Sequence, residues 1–188
     1  MRDSDSFNLK VDDEIQLELV AAEMAPVFQR LVTDNYEPLA RWMQWPRYCK
    51  TVDDFSHFIA RERQNYRDGS RMSLAIVYRG LIVGTASFNV IDREVQRTDI
   101  GYWLIPDYQG LGIVTRACKA MLNYAFEQLD VSKVQITVAE DNLPSRAVCE
   151  RLGMQLEGII SHSEKIGERI LNHAIYAAFK ASEDIAAN

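Results

Sequence analysis

Short runs of alternating apolar and polar residues recur along the chain, and each predicts a β-strand because side chains on a strand point to opposite faces in turn. Residues 14–20 read EIQLELV, which is the clearest such run. The Arg79-Gly80 pair separates two of these runs and predicts a tight hairpin. Gly84, inside the second arm of that hairpin, predicts a bulge or a close backbone approach. The predicted strands cover residues 14–20, 72–78, 81–91, 99–105, 134–138, 154–162 and 171–179.

Other stretches show helical spacing of apolar residues, with capping residues at their starts. Thr51 followed by two aspartates is typical of a helix N-terminus, and Gly153 is typical of a C-terminal stop. Strands mixed with helices indicate an α+β or α/β-type mixed sheet with helices on both faces. We expect a single domain over residues 1–188 with a core at about 14–179. The predicted helices cover 21–33, 51–68, a segment from Gln109 or Gly110 to about 129, and a segment from 141–145 to 152.

The segment from Asp99 to Met121 combines a strand, a proline break, a two-glycine turn and a helix. Two residues without side chains let a ligand approach the backbone, and the N–H groups at a helix N-terminus attract an anion such as a pyrophosphate. The turn does not match a P-loop, because Ile113 follows Gly112 where a lysine is required. It does not match the dinucleotide fingerprint, because Thr115 takes the place of the third glycine. An ordinary glycine turn remains the alternative.

Composition and charge exclude several classes of protein. The 188 residues are 47% hydrophobic and 26% charged with a net charge of −6, which is typical of a soluble globular protein and lacks the basic stripe of a nucleic-acid binder. A polar N-terminus and the absence of a long apolar run predict no signal peptide and no membrane span. Three cysteines without framework spacing favour a reducing cytoplasm. The three histidines have no metal-ligand spacing, so we expect no metal.

Two motifs in register resemble the GNAT N-acetyltransferases. QGLGIVT, from Gln109 to Thr115, resembles their acetyl-CoA loop, and DNLPSRAVCERLGM, from Asp141 to Met154, resembles their next motif. The run SFNVIDREVQRTDIGYWL, the Trp45-Pro46 pair and the LEG at Leu156 are similar to the RimL/RimJ branch, which acetylates N-terminal amines of ribosomal proteins. Val114 departs from the general motif, which has Gly or Ala there.

The resemblance implies a GNAT fold, in which a splayed strand pair of a central, mostly antiparallel sheet holds acetyl-CoA as co-substrate. Backbone N–H groups of the glycine loop would bind the pyrophosphate, and the strand before it would pair with the pantetheine amides. Arg116 would either reach a phosphate or be a solvated helix charge. The implied cofactor-binding residues are Gly101, Tyr102, Trp103, Leu104, Gln109, Gly110, Leu111, Gly112, Ile113, Val114, Thr115 and Asn142.

The resemblance also implies candidates for proton transfer during aminolysis of the thioester. Glu164 lies at the family's distance from the LEG segment and is the first candidate for general base, with Asp99 as the second. An exposed salt bridge is the alternative for both. Ser145 or Tyr176 would protonate the leaving thiolate. The alternative for Ser145 is simple N-capping, and for Tyr176 it is core packing.

The acceptor implied by the RimL-like resemblance is the N-terminal α-amine of a protein, with a ribosomal protein first. A small-molecule amine, such as a polyamine, an antibiotic or a metabolite, is the alternative within the same chemistry. A CoA-binding module without catalysis is the alternative outside it. Neither nucleic acid nor membrane is expected as a partner, and a homodimer is left open.

Overall fold

One mixed sheet of eight strands organises the fold in the computed structural model, which describes residues 6–181. The strands lie in the order β1-β2-β3-β4-β5-β6-β8-β7, and among these pairs only β5–β6 is parallel. The predicted mixed, mostly antiparallel sheet is therefore confirmed. The strands are β1 (Asn8–Lys10), β2 (Ile15–Leu19), β3 (Met72–Tyr78), β4 (Leu81–Asp92), β5 (Arg97–Leu104), β6 (Lys133–Ala139), β7 (Gln155–Ile166) and β8 (Arg169–Phe179).

Helices cover both faces of the sheet, as the sequence predicts. Trp103 of β5 packs edge-on against Phe28 of the first helix, with ring centroids 6.2 Å apart. The preceding residue, Tyr102, points to the opposite face, where its hydroxyl lies 2.8 Å from Ser145 Oγ on the last helix. The helices are α1 (Ala25–Asp34), α2 (Tyr36–Ala40), α3 (Val52–Arg67), α4 (Ile113–Gln128) and α5 (Leu143–Arg151).

Helix α4 begins later than the sequence predicts. Gly110 and Gly112 have φ angles of 77° and 71°, which are incompatible with a right-handed helix. The first helical residue is therefore Ile113, and the residues from Gln109 to Gly112 form a loop. The loop leaves the helix N-terminus open towards the space beside β5.

Three elements differ from the sequence-based expectation for local reasons. Strand β1 is polar and only three residues long, so its apolar pattern is absent and the sheet starts before the predicted core boundary at residue 14. Helix α2 contains Pro38, which is tolerated because the first turn of a helix has no intrahelical use for its N–H. Strand β7 continues to Ile166, past the predicted end at 162, because a bulge interrupts its alternation.

The parallel pair β5–β6 is splayed. It is hydrogen-bonded only from Arg97–Lys133 to Asp99–Gln135, and the two strands then diverge. On its other side β5 stays paired with β4 up to Leu104. Gly84 of β4 is required there, because a Cβ at this position would lie 2.1 Å from the carbonyl oxygen of Trp103. The predicted splayed pair and the close approach at Gly84 are both observed.

Candidate active site

A cleft of about 1300 Å³ opens at the divergence of β5 and β6. We call the part lined by β5, the loop before α4 and the start of α5 the donor end. We call the part lined by α1, α3, the segment between them and the first residues of β3 the acceptor end. Donor-end lining residues are Gly101, Tyr102, Trp103, Leu104, Gln109, Gly110, Gly112, Ile113, Val114, Thr115, Asn142 and Ser145, and acceptor-end residues include Trp42, Trp45, Phe58, Arg61, Glu62 and Arg71.

The start of α4 supplies the donor end with free hydrogen-bond donors. The N–H groups of Ile113, Val114 and Thr115 have no acceptor among residues 6–181, as expected for the first turn of a helix. The N–H of Gln109 is different, because it donates to the carbonyl of Pro106 at 3.0 Å, so it is not free for a phosphate. Leu111 is also different, since it is half-exposed and does not line the cleft.

The donor end fits an extended chain ending in a pyrophosphate. The edge of β5 that faces β6 is unpaired from Gly101 to Leu104, so it can bind an extended amide chain as an added strand would. The open first turn of α4 can bind the anion that follows. Asn142 caps α5, accepting a hydrogen bond from the N–H of Ser145 at 3.3 Å, and it also lines the cleft.

Two arginines near the donor end have different surroundings. Arg116 Nη1 contacts Asp12 Oδ2 at 2.8 Å and Glu14 Oε2 at 3.0 Å, so it ties α4 to the turn between β1 and β2. Because these ion pairs engage the Arg116 guanidinium, the structure does not support the alternative in which Arg116 contacts a phosphate. Arg151 instead lines the cleft, with its Nε 3.4 Å from Thr115 Oγ1. Arg151 is therefore a cation that α5 brings to the first turn of α4.

Because Asn142 is the cap of α5, Ser145 does not serve as an N-cap. Its hydroxyl lies 2.8 Å from the hydroxyl of Tyr102, and the Tyr102 hydroxyl also donates to the Ser145 carbonyl at 3.3 Å. Burial raises the pKa of Tyr102, because its charged form would lose hydration, so the phenol keeps its proton over the physiological range. The two hydroxyls form a hydrogen-bonded pair that lines the cleft.

Tyr176 does not reach the cleft. Its side chain is buried, and its hydroxyl accepts from Arg146 Nε at 3.0 Å and donates to Glu150 Oε1 at 3.3 Å. These partners link β8 to α5. The surroundings of Tyr176 support the core-packing alternative rather than a role as acid.

Of the two candidate bases, only Glu164 lines the cleft. Its Oε2 lies 3.3 Å from Nε2 of His173, which lines the same cleft from β8. Asp99 lies at the last position of β5 that pairs with β6, and it does not line the cleft. Burial raises the pKa of Asp99, with Arg97 and Lys133 opposing the shift, and its Oδ1 has no hydrogen-bond partner within residues 6–181.

The floor of the acceptor end carries a buried carboxylate. Glu62 of α3 is 1% exposed, and its Oε2 accepts from Ser73 Oγ at 2.7 Å. Its Oε1 accepts from Asn65 Nδ2 at 3.2 Å and lies 3.7 Å from Arg71 Nη1. Buried charges need such partners to offset lost hydration. The acceptor end is therefore polar at its floor and aromatic at its walls.

The cleft residues that were not predicted from sequence include Glu62, Arg151 and His173. Glu62 and Arg151 look like solvated helix charges in a helical pattern, and only the tertiary fold brings them to the cleft. His173 was considered only as a metal ligand. The sequence did offer one indication, since His173 lies on a predicted strand next to the segment that contains Glu164.

Two kinds of feature are absent from residues 6–181. No group of three or more His, Cys, Asp or Glu side chains there could hold a metal ion. No helix in that range is both long and apolar enough to cross a membrane.

Comparison with known proteins matches the chain to a known family. The model of the acetyltransferase (GNAT) domain matches residues 16–155. YdaF of Bacillus subtilis (strain 168) is 31% identical over 153 residues, covering 81% of this chain and 84% of YdaF. The ribosomal-protein-serine acetyltransferase of Escherichia coli (strain K12) is 25% identical over 169 residues, covering 90% of this chain and 94% of that protein.

A solved structure gives the same result for the fold. Microcin C7 self immunity acetyltransferase MccE, in complex with acetyl-CoA and AMP, superimposes with a TM-score of 0.87 at 30% identity, covering 91% of this chain and 95% of MccE. The resemblance drawn from the two motifs is thereby confirmed, and the serine acetyltransferase among the relatives agrees with the RimL-like branch. The chain belongs to the GNAT family of acetyltransferases.

Proposed function

We propose that this enzyme moves an acetyl group from acetyl-CoA to a primary amine, and that its acceptor is the N-terminal α-amine of a protein. One observation carries the proposal. A carboxylate, Glu164, and the hydroxyl pair of Ser145 and Tyr102 line the same cleft as the open N-terminus of α4. A base, an acid and an anion site in one cleft are what aminolysis of a CoA thioester requires.

The donor end would orient acetyl-CoA through its backbone. The free N–H groups of Ile113, Val114 and Thr115 are suited to the pyrophosphate, with Arg151 beside them as a cation. The unpaired edge of Gly101–Leu104 is suited to the pantetheine amides. When bound, acetyl-CoA supplies the activated acyl group.

Glu164 would remove one proton from the acceptor ammonium, because only a neutral amine can attack. At pH 7 this costs about 1 kcal/mol for an α-amine of pKa ~8 and about 5 kcal/mol for a lysine of pKa ~10.4. A single carboxylate base meets the smaller demand more easily. This difference supports an N-terminal acceptor over an internal lysine.

The hydroxyl pair would supply the second proton transfer. As the C–N bond forms and the C–S bond breaks, the thiolate takes a proton from Ser145 Oγ or Tyr102 Oη, and the pair recovers it from the acetylated nitrogen. The products are an amide and a free thiol, with one net proton passing through Glu164 to solvent. Because the two hydroxyls are 2.8 Å apart, either can donate while the other refills it.

The acceptor end combines charged and aromatic side chains. Asp54 and Glu62 lie there together with Arg61 and Arg71, so its charges are mixed, while the chain as a whole has a net charge of −6 that favours a cationic acceptor. Its walls include Trp42 and Trp45, which offer apolar faces to the residues beside the amine. The related E. coli enzyme is named for a ribosomal-protein serine, which makes a protein N-terminus beginning with Ser the first acceptor to test.

A small-molecule amine is the second candidate. The observation in its favour is the MccE structure, which holds AMP together with acetyl-CoA and is 30% identical to this chain. Membership in an acetyltransferase family argues against a CoA-binding module without catalysis.

An acceptor screen tests the proposal. We would measure kcat/KM with acetyl-CoA for peptides that begin with Ser or Ala, for spermidine and for an aminoglycoside, using free thiol release as the readout. We expect the Ser and Ala peptides to exceed the small amines by at least about tenfold. Turnover confined to a small amine would overturn the protein acceptor, and no turnover of any amine would overturn the activity.

A further inference from the structure

Glu164 reaches the cleft from a bulge in the edge strand β7. Ile160 pairs with His173 and Glu164 pairs with Leu171, so residues 161–163 stand opposite a single residue of β8. His162, inside the bulge, has a φ of 52°, a left-handed conformation that is unfavourable for a non-glycine residue. Its N–H donates to Asn172 Oδ1 at 3.1 Å, which holds the bulge in place.

The bulge keeps Glu164 on the same face of the sheet as His173. Residues 171 and 173 of β8 lie two positions apart and share a face, and Glu164 is the partner of residue 171. The result is a contact of 3.3 Å between Glu164 Oε2 and His173 Nε2. The other ring nitrogen of His173, Nδ1, lies 3.1 Å from Ser163 Oγ, so strand β7 holds both sides of the imidazole.

We propose that His173 is a positioning residue for the general base. The Ser163 hydroxyl donates to Nδ1, which fixes the neutral imidazole with its proton on Nε2. Nε2–H then donates to Glu164 Oε2 and leaves Oε1 to receive the proton of the acceptor amine. His173 keeps its own proton throughout. The inference rests on the proposed function, since it assigns a partner to the base named there.

Glu164 needs such a partner because its carboxylate would otherwise move between rotamers. The Glu164 side chain is 37% exposed and has no hydrogen-bond partner other than His173 among the contacts of residues 6–181. A glutamate side chain without a partner loses rotamer entropy when it is ordered. His173 is only 15% exposed and is fixed within the sheet, so the ordering takes place on folding rather than in each catalytic cycle.

The kinetic test uses a double-mutant cycle with a Ser-initiated peptide as acceptor. His173→Phe removes the donor, and we expect kcat to fall about tenfold with an unchanged KM for acetyl-CoA. His173→Gln retains an N–H donor at the position of Nε2 and should recover most of the rate. In a Glu164→Gln background, His173→Phe should have no further effect, because the group that it positions is gone. Lys165→Gln, which alters the exposed neighbour of Glu164, is the matched control.

The kinetic cycle can overturn the assignment in two ways. A His173→Phe variant with the wild-type kcat would do so, and so would an equal loss in the wild-type and Glu164→Gln backgrounds, since the latter indicates a structural effect.

A second measurement does not depend on activity. Nitrogen NMR of the histidine rings at pH 8, with the His173 signal assigned from its loss in His173→Gln, should show the neutral tautomer with its proton on Nε2. A proton on Nδ1 would overturn the proposal even for an enzyme that acetylates the peptide. Failure of the wild-type enzyme to acetylate any amine would be a separate result. It would contradict the proposed function, and with it the catalytic role of the contact between His173 and Glu164.

Discussion

At the scale of single residues, the cleft separates groups that look equivalent in sequence. Glu164 and Asp99 are both carboxylates that the sequence offers as candidate bases, yet only Glu164 lines the cleft. Ser145 and Tyr176 were both candidate acids, yet only Ser145 faces the cleft, where Tyr102 is its partner. Sequence motifs supplied the candidates, but where each one lies relative to the cleft depends on strand register and on the bulge in β7, which no local pattern encodes.

Glu164→Gln tests the base at this scale. We expect kcat to fall about 100-fold, which is near the lower end of the rate losses typical for removal of a general base. The KM for acetyl-CoA should stay unchanged. The loss should shrink as pH rises towards 9, because a larger fraction of the acceptor amine is then neutral without assistance. Glu168→Gln, on the same hairpin and fully exposed, is the matched control. A Glu164→Gln enzyme with the wild-type pH profile of kcat would refute the assignment.

Arg151 and Arg116 make a second comparison between similar residues. Arg151→Met should weaken CoA binding about tenfold, because it removes a cation beside the anion-binding turn. Arg116→Met should leave CoA affinity within about twofold, because Arg116 is engaged by Asp12 and Glu14. Isothermal titration of each variant with CoA measures both effects. Equal losses in the two variants would contradict the different roles given to them.

At the scale of elements, the sequence predicts most of the sheet because its strands are apolar and regularly spaced. Strand β3, for example, is buried over most of its length and its observed bounds match the prediction. The start of helix α4 was predicted too early, because the two glycines directly precede residues with helical spacing. Their positive φ angles exclude these glycines from the helix. Strand β1, which is stabilised by pairing rather than by burial, left no pattern to read.

The loop before α4 is tested by a matched pair of substitutions at Gly112, whose φ is 71°. Asp and Asn both tolerate a left-handed conformation and are nearly the same size, so they differ chiefly in charge. Gly112→Asp places a negative charge at the helix N-terminus and should weaken CoA binding at least about 100-fold. Gly112→Asn should lose much less. Calorimetry gives both affinities, and thermal unfolding checks that each variant is folded; equal affinities for CoA would remove the site from this loop.

At the scale of the whole molecule, the turn between β1 and β2 is tied to α4 by charge. Burial by itself would raise the pKa of Asp12, but the N–H groups of Glu14 and Ile15 and the Arg116 guanidinium hold it below its usual value. Hydrogen bonds from Arg79 and then Arg116 lower the pKa of Glu14. The link therefore stabilises the fold above about pH 4–5, where both carboxylates would be ionised in the unfolded chain.

That link predicts a pH dependence of stability. The melting temperature of Arg116→Met should lie below that of the wild type at pH 7, and the difference should close as pH falls below about 4, when the carboxylates of the folded wild type become protonated. The difference should also shrink in 1 M salt, because these side chains are 33–35% exposed and salt screens their charges. Scanning calorimetry from pH 3 to pH 7 measures it. A difference that grows towards pH 3 would contradict the assignment.

The central claim is that the cleft delivers acetyl to an N-terminal α-amine. The most direct measurement uses one peptide that begins with Ser and carries a single internal Lys, incubated briefly with enzyme and acetyl-CoA and then sequenced by tandem mass spectrometry. The account predicts acetyl on the N-terminus and none on the lysine, because the α-amine is far less costly to deprotonate. Acetyl on the lysine would show that the cleft admits a long flexible amine and would contradict the claim.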